Sequence, residues 1–244
     1  THNMDQGGVF VILFKMVRYH QKKYPSYIPL HLEEVAGHFD VRRVFPTLPY
    51  SLHTEYSYGK RTFQSELIQK YPEIVRANQD GIPQLWKNEV WAESFAAFLM
   101  ELTKNMPAPS VIEIHPPFHD YVGSMREFIE IYQVFETQIK SRWQETDILI
   151  ENRCGSRYRG GRFLISTAPQ IKELCAWIES EHLKLRIAFD IPQLYTAHQV
   201  TPKRSYEICA LLEELKEIRQ YIGGVHIWGK RTSHSRRISH CGDL

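Results

Sequence analysis

A chain of 244 residues that is 43% hydrophobic is long enough to bury a full-sized core, which excludes disorder over most of its length. With 30 Lys and Arg against 28 Asp and Glu the net charge is only +2, so the totals name no polyanionic partner and the distribution of charge has to be read instead. Four cysteines, at 154, 175, 209 and 241, are too sparse for a disulfide scaffold, and the apolar run 9–14 is too short to span a bilayer and is followed by no cleavage pattern, so the expectation is a cytoplasmic protein without membrane contact.

Along the chain, residues 7–23 read either as a strand entering a helix or as one apolar helix. The first clear strand is Tyr50-Ser51-Leu52-His53. A turn signal, Asp80-Gly81-Ile82-Pro83-Gln84, precedes a helix over 89–104 whose Phe95, Phe98, Leu99 and Leu102 mark an apolar face. There follow a strand over 111–115, a helix over 125–143, a strand over 147–151 and a helix over 171–181. Thr167-Ala168-Pro169-Gln170 supplies that last helix with an N-cap hydroxyl, a first-turn proline and a capping-box glutamine. A strand over 185–190, a helix over 205–221 and a strand over 224–228 complete the pattern. Near-continuous apolar strands alternating with amphipathic helices describe βαβ units around a parallel sheet, hence an α/β fold.

Each strand carries a proton- or metal-binding residue near its end: His53, His115, Glu151, Asp190 and His226. From His115 the intervals are 36, 39 and 36 residues, a near-constant βα period. In a TIM (β/α)8-type barrel such ends converge on one mouth, whereas a doubly wound open sheet would spread them along an edge. The barrel is the expected architecture, as a single domain over 1–244. Eight units of about 36 residues need nearly 290, so the barrel is expected to be incomplete in this sequence, with the five runs as its third to seventh strands.

Imidazoles and carboxylates at separate strand ends are the donor set of zinc and manganese sites. In this setting the residues resemble the xylose isomerase-like barrels, and within them the family-2 apurinic/apyrimidinic endonucleases. The resemblance runs from about 48 to 243 through Ser51-Leu52-His53-Thr54-Glu55-Tyr56, Ile114-His115-Pro116-Pro117, Ile148-Leu149-Ile150-Glu151-Asn152, Phe189-Asp190-Ile191-Pro192-Gln193 and Val225-His226-Ile227-Trp228-Gly229-Lys230. It implies metal ligation by His53, His115, Glu151, Asp190 and His226, with Glu151 bridging and Glu151 and Asp190 catalytic. It also implies a divalent metal cofactor and a DNA-repair nuclease activity. The family has a histidine where this chain has Gln193, for which His198 could substitute, and an Asp-x-His pair after the histidine strand, for which His234, His240 and Asp243 are the nearest candidates.

Charge adds a second line. The segment after Glu151 holds Arg153, Arg157, Arg159 and Arg162 with glycines at 155, 160 and 161, and the segment after His226 holds Lys230, Arg231, Arg236 and Arg237. Without those eight, 22 basic residues face 28 acidic ones, a balance of −6. Arginine forks match phosphate oxygens, and the two segments would lie as loops at the mouth of a barrel. Tyr56, Tyr58, Tyr158 and Trp228 could stack on bases beside them. The leading expectation is a metal-dependent phosphodiesterase acting on nucleic acid, DNA before RNA. The alternatives are a single-metal isomerase or epimerase acting on a small sugar, and a barrel that binds without catalysing.

Overall fold

The computed structural model describes residues 15–19, 26–27, 29–36, 46–54, 65–76, 82–155, 161–200, 205–228, 230–233 and 236–239. Seven strands form one sheet: β1 (Val17–Tyr19), β2 (Leu32–Ala36), β3 (Tyr50–His53), β4 (Val111–Ile114), β5 (Asp147–Glu151), β6 (Leu185–Asp190) and β7 (Ile222–His226). Their spatial order is their chain order, and every neighbouring pair is parallel. A doubly wound sheet must reverse its order at a switch point; this sheet never does.

Side-chain contacts across the sheet show that it is curled. Neighbouring strands lie about 4.8 Å apart, so in a flat sheet β3 and β7 would stand roughly 19 Å from each other. Instead the His53 and His226 rings have centroids 6.2 Å apart, and His226 Nε2 lies 3.1 Å from Glu113 Oε2 on β4. The fold is therefore an incomplete TIM-type barrel. Among the described residues β7 and β1 do not pair, and Val225 and Ile227 near that edge are exposed.

The five predicted strands are β3 to β7, the expected third to seventh. β1 lies inside the doubtful stretch 7–23. β2, Leu32-Glu33-Glu34-Val35-Ala36, carries no strand signal because two glutamates read as helix formers; pairing on both sides overrides that propensity, and Glu33 is satisfied by the Thr47 amide and hydroxyl at 3.1 and 3.0 Å.

The helices are α1 (Ser65–Lys70), α2 (Pro72–Arg76), α3 (Glu89–Leu102), α4 (Met125–Arg142), α5 (Ala168–Ser180), α6 (Ile191–Ala197) and α7 (Ser205–Glu214). The predicted helix over 205–221 is divided: α7 ends at Glu214, and Lys216–Tyr221 is a 3-10 turn leading into β7. Caps fix the helix starts, the expected one at Thr167 among them. Asn88 accepts from the Trp91 amide at 2.9 Å and Ser124 from the Glu127 amide at 3.2 Å, while the Gln170 side chain accepts the Thr167 amide at 3.0 Å.

Alternation along each strand divides the molecule into two layers. Tyr50 and Leu52 on β3, Ile112 and Ile114 on β4, and Ile148 and Ile150 on β5 face outward and merge with the helices into one buried apolar cluster. Its densest part is aromatic: Trp86 contacts Trp91, Phe95, Phe128 and Phe135 with ring centroids 5.0 to 5.7 Å apart. Trp86 holds a left-handed backbone (φ 59°), stabilised by that packing and by its indole N–H, which donates to the His115 carbonyl at 2.7 Å. The aromatic layer thereby grips the strand end that carries a candidate ligand.

Two predicted loops are different in structure. The segment after His226 includes an antiparallel hairpin, β8 (Lys230–Ser233) with β9 (Arg236–Ser239). At the far end of the segment after Glu151, Phe163 bridges to Phe118 and the rings stack at 4.1 Å. Gly161 serves this packing: a Cβ there would lie 2.7 Å from Ile82 and 2.8 Å from Phe118, so its small size answers to a protein contact.

Candidate metal centre

The concave layer is polar. Residues two apart on a strand share a face, so Glu113 and His115 both point inward from β4 and its end, as His53 does from β3. His53, Glu113, His115, Glu151 and Asp190 are all buried, and His226 is half-buried.

His115 is held by two elements. Its Nδ1 lies 2.8 Å from the Thr54 carbonyl, which can only accept, so Nδ1 carries the proton. Nε2 is then a lone pair, and it faces Glu151 Oε2 at 2.8 Å and His53 Nε2 at 3.3 Å. Electron-rich atoms at such separations require a shared cation, either a proton or a metal ion. His53 presents its other nitrogen, Nδ1, to Glu34 Oε1 at 3.6 Å. A ring nitrogen turned to an outer acceptor while its partner faces inward is the usual arrangement of metal-binding histidines.

A second group shares Glu151. His226 Nδ1 lies 3.5 Å from Glu151 Oε1 and 3.8 Å from Asp190 Oδ2, and its Nε2 faces Glu113. The donor atoms fall into two clusters with Glu151 in common, His53–His115–Glu151 and Glu113–Glu151–His226, each with all its atoms within 4.8 Å. Glu113 Oε1 is buried without a hydrogen-bond partner, 3.4 Å from His53 Nε2.

The electrostatics follow from three carboxylates crowded inside a protein. Burial opposes charge on His53, but Glu113, Glu34 and Glu151 outweigh it and raise the imidazole to about 9. Burial also opposes charge on His226, and Glu113 and Glu151 drive it well above the usual range. His115 moves down, chiefly through burial and against the pull of Glu151. Burial works against charge on Glu151 too, yet Arg153, His115 and His226 hold it well below the usual range. Burial and the Glu151 charge push Asp190 up to about 7. In the metal-free protein, protons on His53 and His226 thus supply the positive charge that the carboxylates demand. Imidazoles and carboxylates that must borrow protons fit a divalent cation.

Several predicted residues lie elsewhere. Arg153, expected on a phosphate-binding loop, is buried, with Nη1 2.6 Å from Glu151 Oε2 and its guanidinium over the Phe163 ring. Its acid partner is two residues upstream, outside the acid-free stretch that suggested the loop. His198 Nε2 accepts the Ala168 amide at 2.9 Å, so its lone pair caps α5 and His198 joins neither cluster. The Trp228 indole does not face outward; it donates to Asp190 Oδ2 at 2.7 Å. Arg162 is exposed. Lys230 and Arg231 lie on β8; Arg157, Arg159, Tyr56, Tyr58, Tyr158, His234, His240 and Asp243 fall outside the described residues.

Gln193, in α6, donates from Nε2 to Glu151 Oε1 at 2.8 Å and approaches Asp190 Oδ2 at 3.5 Å. Asn152 pins the strand end beside it, exchanging hydrogen bonds with the Asp190 backbone at 2.8 and 3.0 Å. The residues missed from the sequence are Glu113 and Glu34. The signal for Glu113 was available: it stands two residues before His115 and must share its face.

A parallel barrel-type sheet with a buried histidine–carboxylate centre on its concave face is the class that fold and site define. No known family model matches the chain, and no curated protein is significantly similar to it. Among solved structures it is similar to the crystal structure of a xylose isomerase domain protein from Planctomyces limnophilus, at 12% identity and a TM-score of 0.41 over 84% of this chain and 75% of that one. The fold assignment rests on the strand order and the contacts across the sheet. Among the described residues no helix is long and apolar enough to cross a membrane.

Proposed function

We propose that the protein is a divalent-metal-dependent phosphodiesterase acting on nucleic acid, similar to the apurinic/apyrimidinic endonucleases its strand-end motifs resemble. One observation carries the reading: Glu151 turns its two oxygens to different partners, Oε2 to His115 and Oε1 toward His226. A carboxylate shared in this way fits two neighbouring cations, the arrangement suited to in-line displacement at phosphorus. His53 and His115 would hold one ion and His226 with Asp190 the other, with Glu151 common to both. Bound there, the metal would lower the pKa of a water and neutralise charge on the phosphate.

The chain's own residues have separable tasks. Arg153 fixes Glu151 by its buried ion pair, and Gln193 and Asn152 fix the Glu151–Asp190 edge. Arg162, with the basic segments around 157–159 and 230–237, would engage flanking phosphates.

Arg153 and Gln193 each also occupy one Glu151 oxygen, which favours a second reading: one ion and a sugar isomerase or epimerase. The two readings separate in a single assay. With zinc or manganese added, the full chain is expected to cleave a duplex containing an abasic site and to bind it with steep salt dependence. Isomerisation of small sugars, with no salt-sensitive DNA binding, would overturn the nuclease reading.

A further inference from the structure

The three histidines of the centre differ in the nitrogen they turn inward. His53 and His115 present Nε2, whereas His226 presents Nδ1 to Glu151 and Asp190 and keeps Nε2 against Glu113 Oε2 at 3.1 Å. That last contact has hydrogen-bond geometry, while the Nδ1 approaches, at 3.5 and 3.8 Å, do not.

We propose that Glu113 is a positioning residue for the metal centre: its carboxylate accepts the Nε2–H of His226 and so turns Nδ1 toward Glu151 and Asp190 as the ligand atom. The inference rests on the reading of this cluster as a metal site. Glu113 stands to His226 as the Thr54 carbonyl stands to His115, an outer acceptor that fixes ring orientation and tautomer. In β4 the need is met by a single glutamate between Ile112 and Ile114, both fully buried on the other face. A carboxylate left in that position without a histidine would be costly, and His226 gives its Oε2 a partner.

The test is nitrogen and cadmium magnetic resonance of the full chain, labelled with 15N-histidine and loaded with 113Cd. The wild type is expected to show 113Cd–15N coupling to Nδ1 of His226 and a slowly exchanging proton on its Nε2. Glu113→Ala is expected to weaken cadmium affinity about 10–100-fold in chelator competition at unchanged stoichiometry, with rapid exchange at Nε2. Glu113→Gln keeps an acceptor and is expected to recover part of both. Coupling to Nε2 of His226, loss of one ion per chain in Glu113→Ala, or unchanged affinity and exchange in that variant would each overturn the proposal. If Glu113→Ala does not fold, the wild-type coupling pattern decides alone. Absence of cadmium binding by the wild type would remove the metal-site reading itself, whereas binding without His226 Nδ1 coupling would remove only this inference.

Discussion

The two faces of the sheet are built on opposite principles. On the convex face, Leu52, Ile112, Ile114, Ile148 and Ile150 are fully buried against helices, and removal of apolar surface from water holds the layer together. On the concave face, Glu113, His115, Glu151 and Asp190 are buried almost as completely, yet each is ionisable. Burying such groups is a cost to folding even when they are paired, because desolvation rivals the attraction regained. One strand carries both programmes at once, and β4 shows it most compactly as Ile-Glu-Ile-His. The difference teaches that the outer layer supplies the stability that the inner layer consumes, so the inner arrangement calls for a reason other than stability, which the proposed cation supplies.

This contrast can be broken by variants that separate function from stability. The largest effect is expected for Glu151→Gln, which should lower metal-dependent cleavage about a thousandfold, the loss of several kcal/mol of transition-state stabilisation, as read from single-turnover rates. Phe95→Ala on the convex side should do the reverse. It should cost about 3–5 kcal/mol in denaturant unfolding while leaving metal affinity per folded molecule unchanged. If both variants lose metal and stability in proportion, the division of labour is wrong.

Dependence on pH sharpens the comparison. His53 titrates at about 9 in the folded metal-free protein against an ordinary value of 6.5, so its contribution to stability is complete below 6.5 and is lost as pH rises through about 9. Unfolding of the metal-free protein should therefore become easier from pH 6.5 to about 9. Zinc uptake must displace that proton, so affinity measured by chelator competition should climb over the same interval and binding should release protons. A stability and an affinity that are both flat across this interval would contradict the placement of His53 among the carboxylates. The smallest effect is expected from Arg162→Ala, which should weaken DNA binding a few-fold for all sequences and reduce the salt slope by about one.

The convex layer was legible from sequence because its signals are periodic. Apolar spacing in 89–104 and 125–143 and the β-branched runs located α3, α4 and β3 to β7, and the constant interval between polar strand ends suggested the barrel. The concave layer was legible only where a polar residue ended a strand. Glu113 was hidden because one acid within Val-Ile-Glu-Ile-His looks like an interruption of an apolar run until the register places it beside His115. Arg153 was misjudged because local charge counting omitted Glu151, the residue it pairs with. His198 was misjudged because a sequence does not show that a lone pair is already taken by a helix amide. β2 was missed because its glutamates face Thr47 and His53, partners distant in the chain.

The central claim is that the concave face is a divalent-metal centre, and elemental analysis of the full chain tests it most directly. Protein purified from cells supplied with zinc and manganese, alongside a His115→Ala variant that retains the fold, should be assayed for bound metal per chain. The account predicts close to two ions in the wild type and a clear loss in the variant. A folded wild-type protein with metal content near zero, unchanged by His115→Ala, would contradict it.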